Sequence, residues 1–363
     1  MKLRILRKGI VFILYRIKHY LSFLSYVVRP RQKDVYPVIT LCASIFLAFY
    51  LLSLTGCGGE KQNVPEAPQI DSTAIKDSLA RLEEERLKVT YHYYPDSGKI
   101  RYADLKELYS DDERKIILGI NRLDARNFGR RDSVVIPDTF DINFIRYSPF
   151  PRVLKAADSV KKLILFSYPV QSFAAYEYGY LVRWGPTSLG KRSTLTPTGL
   201  YHTNWKAKVT ISTIDSTWIL PWAFNLDNFD GVSMHEFDLP GYPASHACCR
   251  LWSSDAEWFY NWAEQWILTK NQESIIAYGT PTIIYGKYNF GHKPPWHFLP
   301  QNQDTTKISE EDLTSIVDEF IDTILVRQAL RDSVITERER IKILEEEKKK
   351  ISTVSKPLAD IRR

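Results

Sequence analysis

Residues 234–252 read MHEFDLPGYPASHACCRLW and gather His235, His246, Cys248, Cys249 and Arg250 around a Gly/Pro-rich loop. Attack of a cysteine on a carbonyl needs a thiolate, an imidazole to take the thiol proton and later return it, and backbone N–H donors for the oxyanion. This stretch can supply all three. The ordinary alternatives are loop histidines and a small buried thiol. Two other motifs fall away. Residues 185–191, GPTSLGK, approach a phosphate-binding loop, but Arg192 and a Ser/Thr/Pro stretch follow where a helix is needed. His235-Glu236 lacks a histidine four residues after the first, and vicinal cysteines are not metal-finger spacing, so neither metal nor cofactor is expected.

The elements that must position this loop come next. Ser254 and Glu257 form a capping box for a predicted helix from Asp255 that buries Trp258, Phe259, Trp262 and Trp266 and fixes the loop from one side. Its positive end would lower the pKa of a nearby thiol. Between residues 141 and 300, the stretches 163–168, 172–176, 180–184, 208–214 and 282–288 are short, β-branched or aromatic, and bounded by Gly, Pro or Asp, which predicts a mainly β domain. All nine Trp lie from Trp184 to Trp296 and are read as core before sugar-stacking surface. Ahead of this domain, Ser110 and Glu113 form a capping box, and Ile116, Ile117, Ile120 and Leu123 share one face of a predicted helix. Residues 121–137 then resemble the closing half of a LysM-type wall-binding module; the alternative is a helical cap packed on the next domain. From 309 to 351 the chain turns helical, with Leu313, Ile316, Val317, Phe320, Ile321 and Ile324 in register, and ends in a charged run expected to be an exposed helix, a coiled coil or a partner contact.

The string Ser245-His246-Ala247-Cys248-Cys249-Arg250-Leu251 resembles the Ser-His-Gly-Cys-x-Arg signature of YkuD-type L,D-transpeptidases, cysteine enzymes that remodel peptidoglycan. Thr196-Pro197-Thr198-Gly199 is similar to that family's Thr-Pro-x-Gly segment, residues 176–190 to its early strands and product-side loop, and residues 279–285 to its closing strand. The resemblance covers roughly 163–288. It implies a β-sandwich catalytic domain with flanking α-helical segments, Cys248 as nucleophile, His235 as general base with His246 shaping the site, and Ser245, Ala247, Arg250, Thr196 and Gly199 around the substrate. Arg250 would hold the loop or meet a substrate carboxylate. Ala247 stands where the family has Gly, at a cost of about 1 kcal/mol if that backbone needs a positive φ. Cys249 would point away from its neighbour in an extended segment, as inert packing or as a resolving thiol. The implied substrate is a peptidoglycan tetrapeptide stem, acylated at its third residue with loss of the terminal D-alanine. A second stem, a protein amine or water would then resolve the thioester. The alternatives are a cysteine hydrolase on the same fold and a non-catalytic wall-binding lipoprotein.

The chain has 363 residues, 44% hydrophobic and 25% charged, which excludes a disordered, collagenous or polytopic membrane protein. Nine of its 49 Lys/Arg but only one of its 43 acids lie in residues 1–36, so the +6 net charge belongs to the leader, and the rest has no electrostatic footprint for nucleic acid. Residues 38–54, VITLCASIFLAFYLLSL, are followed by Leu54-Thr55-Gly56-Cys57, the layout of an export signal ending in a lipobox with Cys57 as the acylated residue. An uncleaved membrane anchor is the alternative. Either way the bulk of the chain is expected on the outer side of a membrane, in the cell envelope. Cys42 would leave with the signal, so Cys248 and Cys249 remain as thiols, and adjacent cysteines rarely bridge each other. The expected organisation is a leader over 1–56, a tether and helical stalk over 57–90, a small module over 91–140, the catalytic domain over 141–300 and charged helices over 301–363.

Overall fold

The computed structural model describes residues 77–78, 89–94, 101–131, 133–212 and 214–354. The leader, the lipobox with Cys57 and nearly all of the stalk lie outside the described residues.

The first described unit is β1 (Tyr91–Tyr94), α1 (Tyr102–Leu108), α2 (Asp111–Ile120) and β2 (Val134–Pro137), with β1 antiparallel to β2. The capping box of α2 is formed: the Ser110 hydroxyl accepts from Glu113 N–H, and the Glu113 carboxylate accepts from Ser110 N–H. Beyond the helix, the Asn121 side chain donates to the Ile117 and Val135 carbonyls and accepts from Val135 N–H, tying helix end to strand. Strand β1 was not legible in the sequence. The unit has a small core of its own around Leu105, Ile117, Phe128 and Ile136, while Ile116, Ile120 and Val135 enter the main core.

The main domain contains β3 (Leu163–Ser167), β4 (Ser172–Glu177), β5 (Tyr180–Pro186), β6 (Gly199–His202), β7 (Lys206–Ile211), β8 (Ile219–Asp227), β9 (Val232–Glu236) and β10 (Cys249–Leu251). It continues through α3 (Ser253–Trp262), the short pair β11 (Ile267–Leu268) and β12 (Ile275–Ala277), and β13 (Pro281–Tyr285). One sheet has the order β5-β4-β3-β13-β6, with β3 and β13 parallel; the other has the order β10-β9-β8-β7, with β9 and β10 parallel. Strand β3 is buried along its whole length because both faces of its sheet are covered. Ile164 and Phe166 meet Phe224, Met234, Cys249 and Leu251 of the second sheet, giving a β-sandwich. Leu163 and Leu165 face the other way, toward the N-terminal unit and the C-terminal helices α4 (Glu310–Asp318) and α5 (Ile321–Val354). Leu313, Val317 and Ile324 are buried as the sequence pattern requires, and α5 is exposed over residues 336–350.

Two expectations need correction. The Ser254/Glu257 capping box does not start α3: the helix begins at Ser253 with Trp252 as its N-cap and no side-chain cap bond. Trp252 leaves β10 extended, its indole donates to the Leu123 carbonyl at 2.9 Å, and its own carbonyl already accepts from the Asp255 and Ala256 N–H groups. The helix therefore buries Asp255, Ala256 and Phe259, with Asp255 paired to Arg183 at 2.6 Å, while Trp258 and Trp262 stack half-buried and Trp266 lies beyond the helix. The tryptophans also divide differently from a simple core assignment. Trp184 and Trp296 are fully packed, and the other seven are half-buried.

Because the Ser110 cap satisfies an otherwise unpaired helix donor, Ser110→Ala is expected to cost about 1 kcal/mol, read as a lower denaturation midpoint with unchanged slope.

Candidate active site

The parallel ladder of β9 and β10 sets Cys249 opposite Met234 and Arg250 opposite His235. Side chains alternate along each strand, so Met234 and Cys249 enter the core, while Ser233, His235 and Cys248 share the other face. The sequence separates Cys248 from His235 by a loop, and the ladder brings them back together. The Cys248 thiol stands 3.4 Å from the Ser233 hydroxyl and donates to the Gly231 carbonyl at 3.4 Å, with the His235 imidazole near enough to acidify it.

His235 is 3% exposed, and its Nδ1 lies 2.8 Å from the Glu236 carbonyl oxygen. A carbonyl only accepts, so Nδ1 carries the hydrogen and Nε2 keeps the lone pair. Burial alone pushes the Cys248 thiol up. The hydrogen bond and charge of His235, joined by Ser233, more than offset this and bring it down to about 7.

His246 occupies a different position. The Lys191 ammonium donates to its Nε2 at 2.8 Å, and its ring lies 5.0 Å from that of Trp218. Burial, then the charges of Lys191 and Arg250, push its pKa down, and Nε2 already accepts from Lys191. Its Nδ1 is buried without a partner among the described residues.

Three of the residues expected around substrate brace the loop. Ser245 is 1% exposed; its hydroxyl donates to the Cys248 carbonyl at 2.6 Å, closing the turn that presents the thiol. Thr196 is equally buried: its hydroxyl accepts from Gly190 N–H at 2.9 Å, and its own N–H donates to the Tyr168 hydroxyl at 2.7 Å. Both are drawn inward, where the loop's backbone needs these partners. Arg250 lies 4.5 Å over the Phe237 ring and donates to the Asp238 carbonyl at 3.4 Å, which fits the loop-holding role of the two weighed for it. Gly199 opens β6 at φ +142°, with no atom within 4 Å of the position a Cβ would take, so its need for glycine is conformational.

Ala247 has φ +76°, so the family's Gly position does demand the left-handed region here, and Ala pays in strain. Cys249 is fully buried in the inter-sheet core, where burial raises its thiol well above the ordinary value, and it faces away from Cys248. That is inert packing, not the geometry of a resolving thiol. Ser233, Gly231, Lys191 and Trp218 escaped the sequence reading. Ser233 had a signal, standing two residues before His235 on a strand and hence on its face; Lys191 and Trp218 come from distant loops and had none.

Residues 161–284 match the family model of the L,D-transpeptidase catalytic domain, YkuD. A search of curated proteins returned no match. Similar solved structures include an L,D-transpeptidase from Mycobacterium smegmatis (20% identity, 35% of this chain and 59% of that one, TM-score 0.28) and one from Stackebrandtia nassauensis (18%, 35% and 57%, TM-score 0.29). A third is an L,D-transpeptidase from Mycobacterium tuberculosis H37Rv (22%, 35% and 58%, TM-score 0.28). The alignment spans less than two thirds of each of these chains.

Alkylation of Cys248, followed by peptide mass mapping, is expected to accelerate through a midpoint near pH 7. In His235→Ala that midpoint moves upward, since the acidifying partner is lost while the burial that opposes ionisation stays. Ala247→Gly is expected to raise stability by about 1 kcal/mol in chemical denaturation, by relieving the positive φ.

Proposed function

We propose that this protein, whose residues 161–284 match an L,D-transpeptidase catalytic domain, is a cysteine acyltransferase acting on peptidoglycan stem peptides. The observation that carries the proposal is the Cys248–His235 pair: a thiol brought down to about 7 beside an imidazole whose tautomer is set by the Glu236 carbonyl. His235 Nε2 takes the Cys248 proton, and the thiolate attacks the carbonyl of the third residue of a tetrapeptide stem. Backbone N–H donors of the loop hold the oxyanion. The C–N bond to the terminal D-alanine breaks, His235 returns the proton to the departing amine, and a thioester remains on Cys248. An acceptor amine, deprotonated by the same imidazole, then forms the new amide and releases the thiol. His246, held by Lys191, shapes the site.

The low thiol pKa weighs against a non-catalytic wall-binding protein, for which an acidified, half-buried cysteine has no use. A hydrolase on the same fold differs only in using water as acceptor. The leader supports a location in the cell envelope, anchored to a membrane through a lipid on Cys57 or through residues 38–54.

Incubation of the full chain with disaccharide-tetrapeptide is expected to release D-alanine and give a crosslinked or trimmed product by mass spectrometry. Cys248→Ala should fall by roughly a thousandfold or more while staying folded, and Cys249→Ala should retain activity. A carbapenem should add its mass at Cys248 alone. Intact substrate with the folded wild-type protein, and no adduct, would sink the proposal.

A further inference from the structure

A second site lies on the face of the five-stranded sheet away from the nucleophile, at the seam between the N-terminal unit and the main domain. Its centre is Arg122, the residue after the helix-ending Asn121, at φ +58° and 2% exposed. The Arg122 Nε donates to the Val170 carbonyl at 2.8 Å, and Nη1 donates to the Gly119 and Ile120 carbonyls at 2.7 and 2.9 Å. The guanidinium also lies against the rings of Trp184 and Trp296, at 5.6 and 5.2 Å. Among the described residues no carboxylate pairs with it, and Nη2 has no acceptor. Burial pushes its pKa down to about 9. A buried cation without an opposite charge is a costly arrangement, and carbonyl dipoles and ring faces offset only part of that cost.

Beside Arg122 is a cavity of about 150 Å³ whose described lining includes Arg146, Lys307 and Asp304. Arg146 pairs through Nη1 with Asp141, and its Nε is buried without a partner among the described residues. The hydroxyl-bearing Ser148 and Thr306 also line it. The volume is well below the roughly 300–1,000 Å³ of sites for drug-sized molecules, which leaves room for a head group and not for a sugar chain or nucleotide. Guanidinium and ammonium donors converging on a small polar space match the charge and hydrogen-bonding of an oxyanion.

We propose that this cavity binds a compact oxyanion, a carboxylate or phosphate group, held by Arg122 inside and Lys307 at the rim. Occupancy neutralises the buried guanidinium and fastens the N-terminal unit to the main domain, independently of the chemistry at Cys248.

The full chain in detergent, with indole nitrogens labelled, is titrated with inorganic phosphate and with acetate at constant ionic strength set by chloride. The indole signals of Trp184 and Trp296 report on Arg122 directly. The expected result is a saturable shift of those signals with at least one of the two ions, and the ion that binds more tightly identifies the head group. Lys307 is exposed, so Lys307→Gln should fold normally and weaken binding about tenfold, the loss of one charge-assisted contact. Arg122→Met, where it folds, should abolish the shift. No saturable change beyond the chloride control, or an unchanged midpoint in Lys307→Gln, would overturn the proposal.

Discussion

The parallel pairing of β10 with β9 is the constraint on which the site depends. It spans only Cys249–Leu251 against Met234–Glu236, yet it fixes both the face and the height of each side chain. With Cys249 and Met234 committed to the core, Cys248 and His235 have nowhere to go but the open face, side by side. A parallel pair cannot be joined by a tight hairpin, so the chain between must cross over, and that crossover is the Gly/Pro-rich loop of residues 237–248. The same connection that the pairing requires also carries His246 and the turn that presents the thiol.

That turn is held against its own preference. Ala247 sits in the left-handed region, which disfavours a side chain, and the surroundings keep it there: Ser245 clamps the Cys248 carbonyl, Ser245 N–H donates to the Leu189 carbonyl, and Ser188 and Arg250 exchange backbone hydrogen bonds. Thr196 and Tyr168 brace the neighbouring loop through Gly190, where any Cβ would meet backbone atoms of Thr194 and Thr196 closer than 3 Å. Ser245 and Thr196 thus hold backbone groups of the loop in place. Strain of this kind persists only where several independent contacts over-determine a conformation.

The central sheet is loaded on both faces, and this organises the rest of the molecule. One face meets the second sheet and gives the site a rigid floor of Phe166, Phe173, Phe224 and Phe259. The other would be a large exposed apolar surface if the N-terminal unit and the helices from Glu310 onward did not cover it. Those segments are therefore part of the domain's core. The buried Arg122 lies in that covering layer, where helix end, strand turn and two tryptophans converge.

The sequence alone determined the cysteine motif, the mainly β character, the helix after Ser110 and the apolar face of the C-terminal helices. Each of these is a local pattern: a short string, a two-residue or 3.6-residue period, or a cap three residues from its partner. The short strand Tyr91–Tyr94, the true start of the helix at Ser253 and the division of tryptophans between core and surface were not legible, because distant partners such as Leu123 and β2 decide them. The same holds within the site. Spacing could name His235 and His246 together, but only the tertiary structure separates them. His235 gains a carbonyl that sets its tautomer, and His246 gains a lysine from a loop 55 residues away that occupies its basic nitrogen. Proton affinity depends on what surrounds an imidazole in space, and in a β-sandwich those neighbours come from strands far apart in the chain.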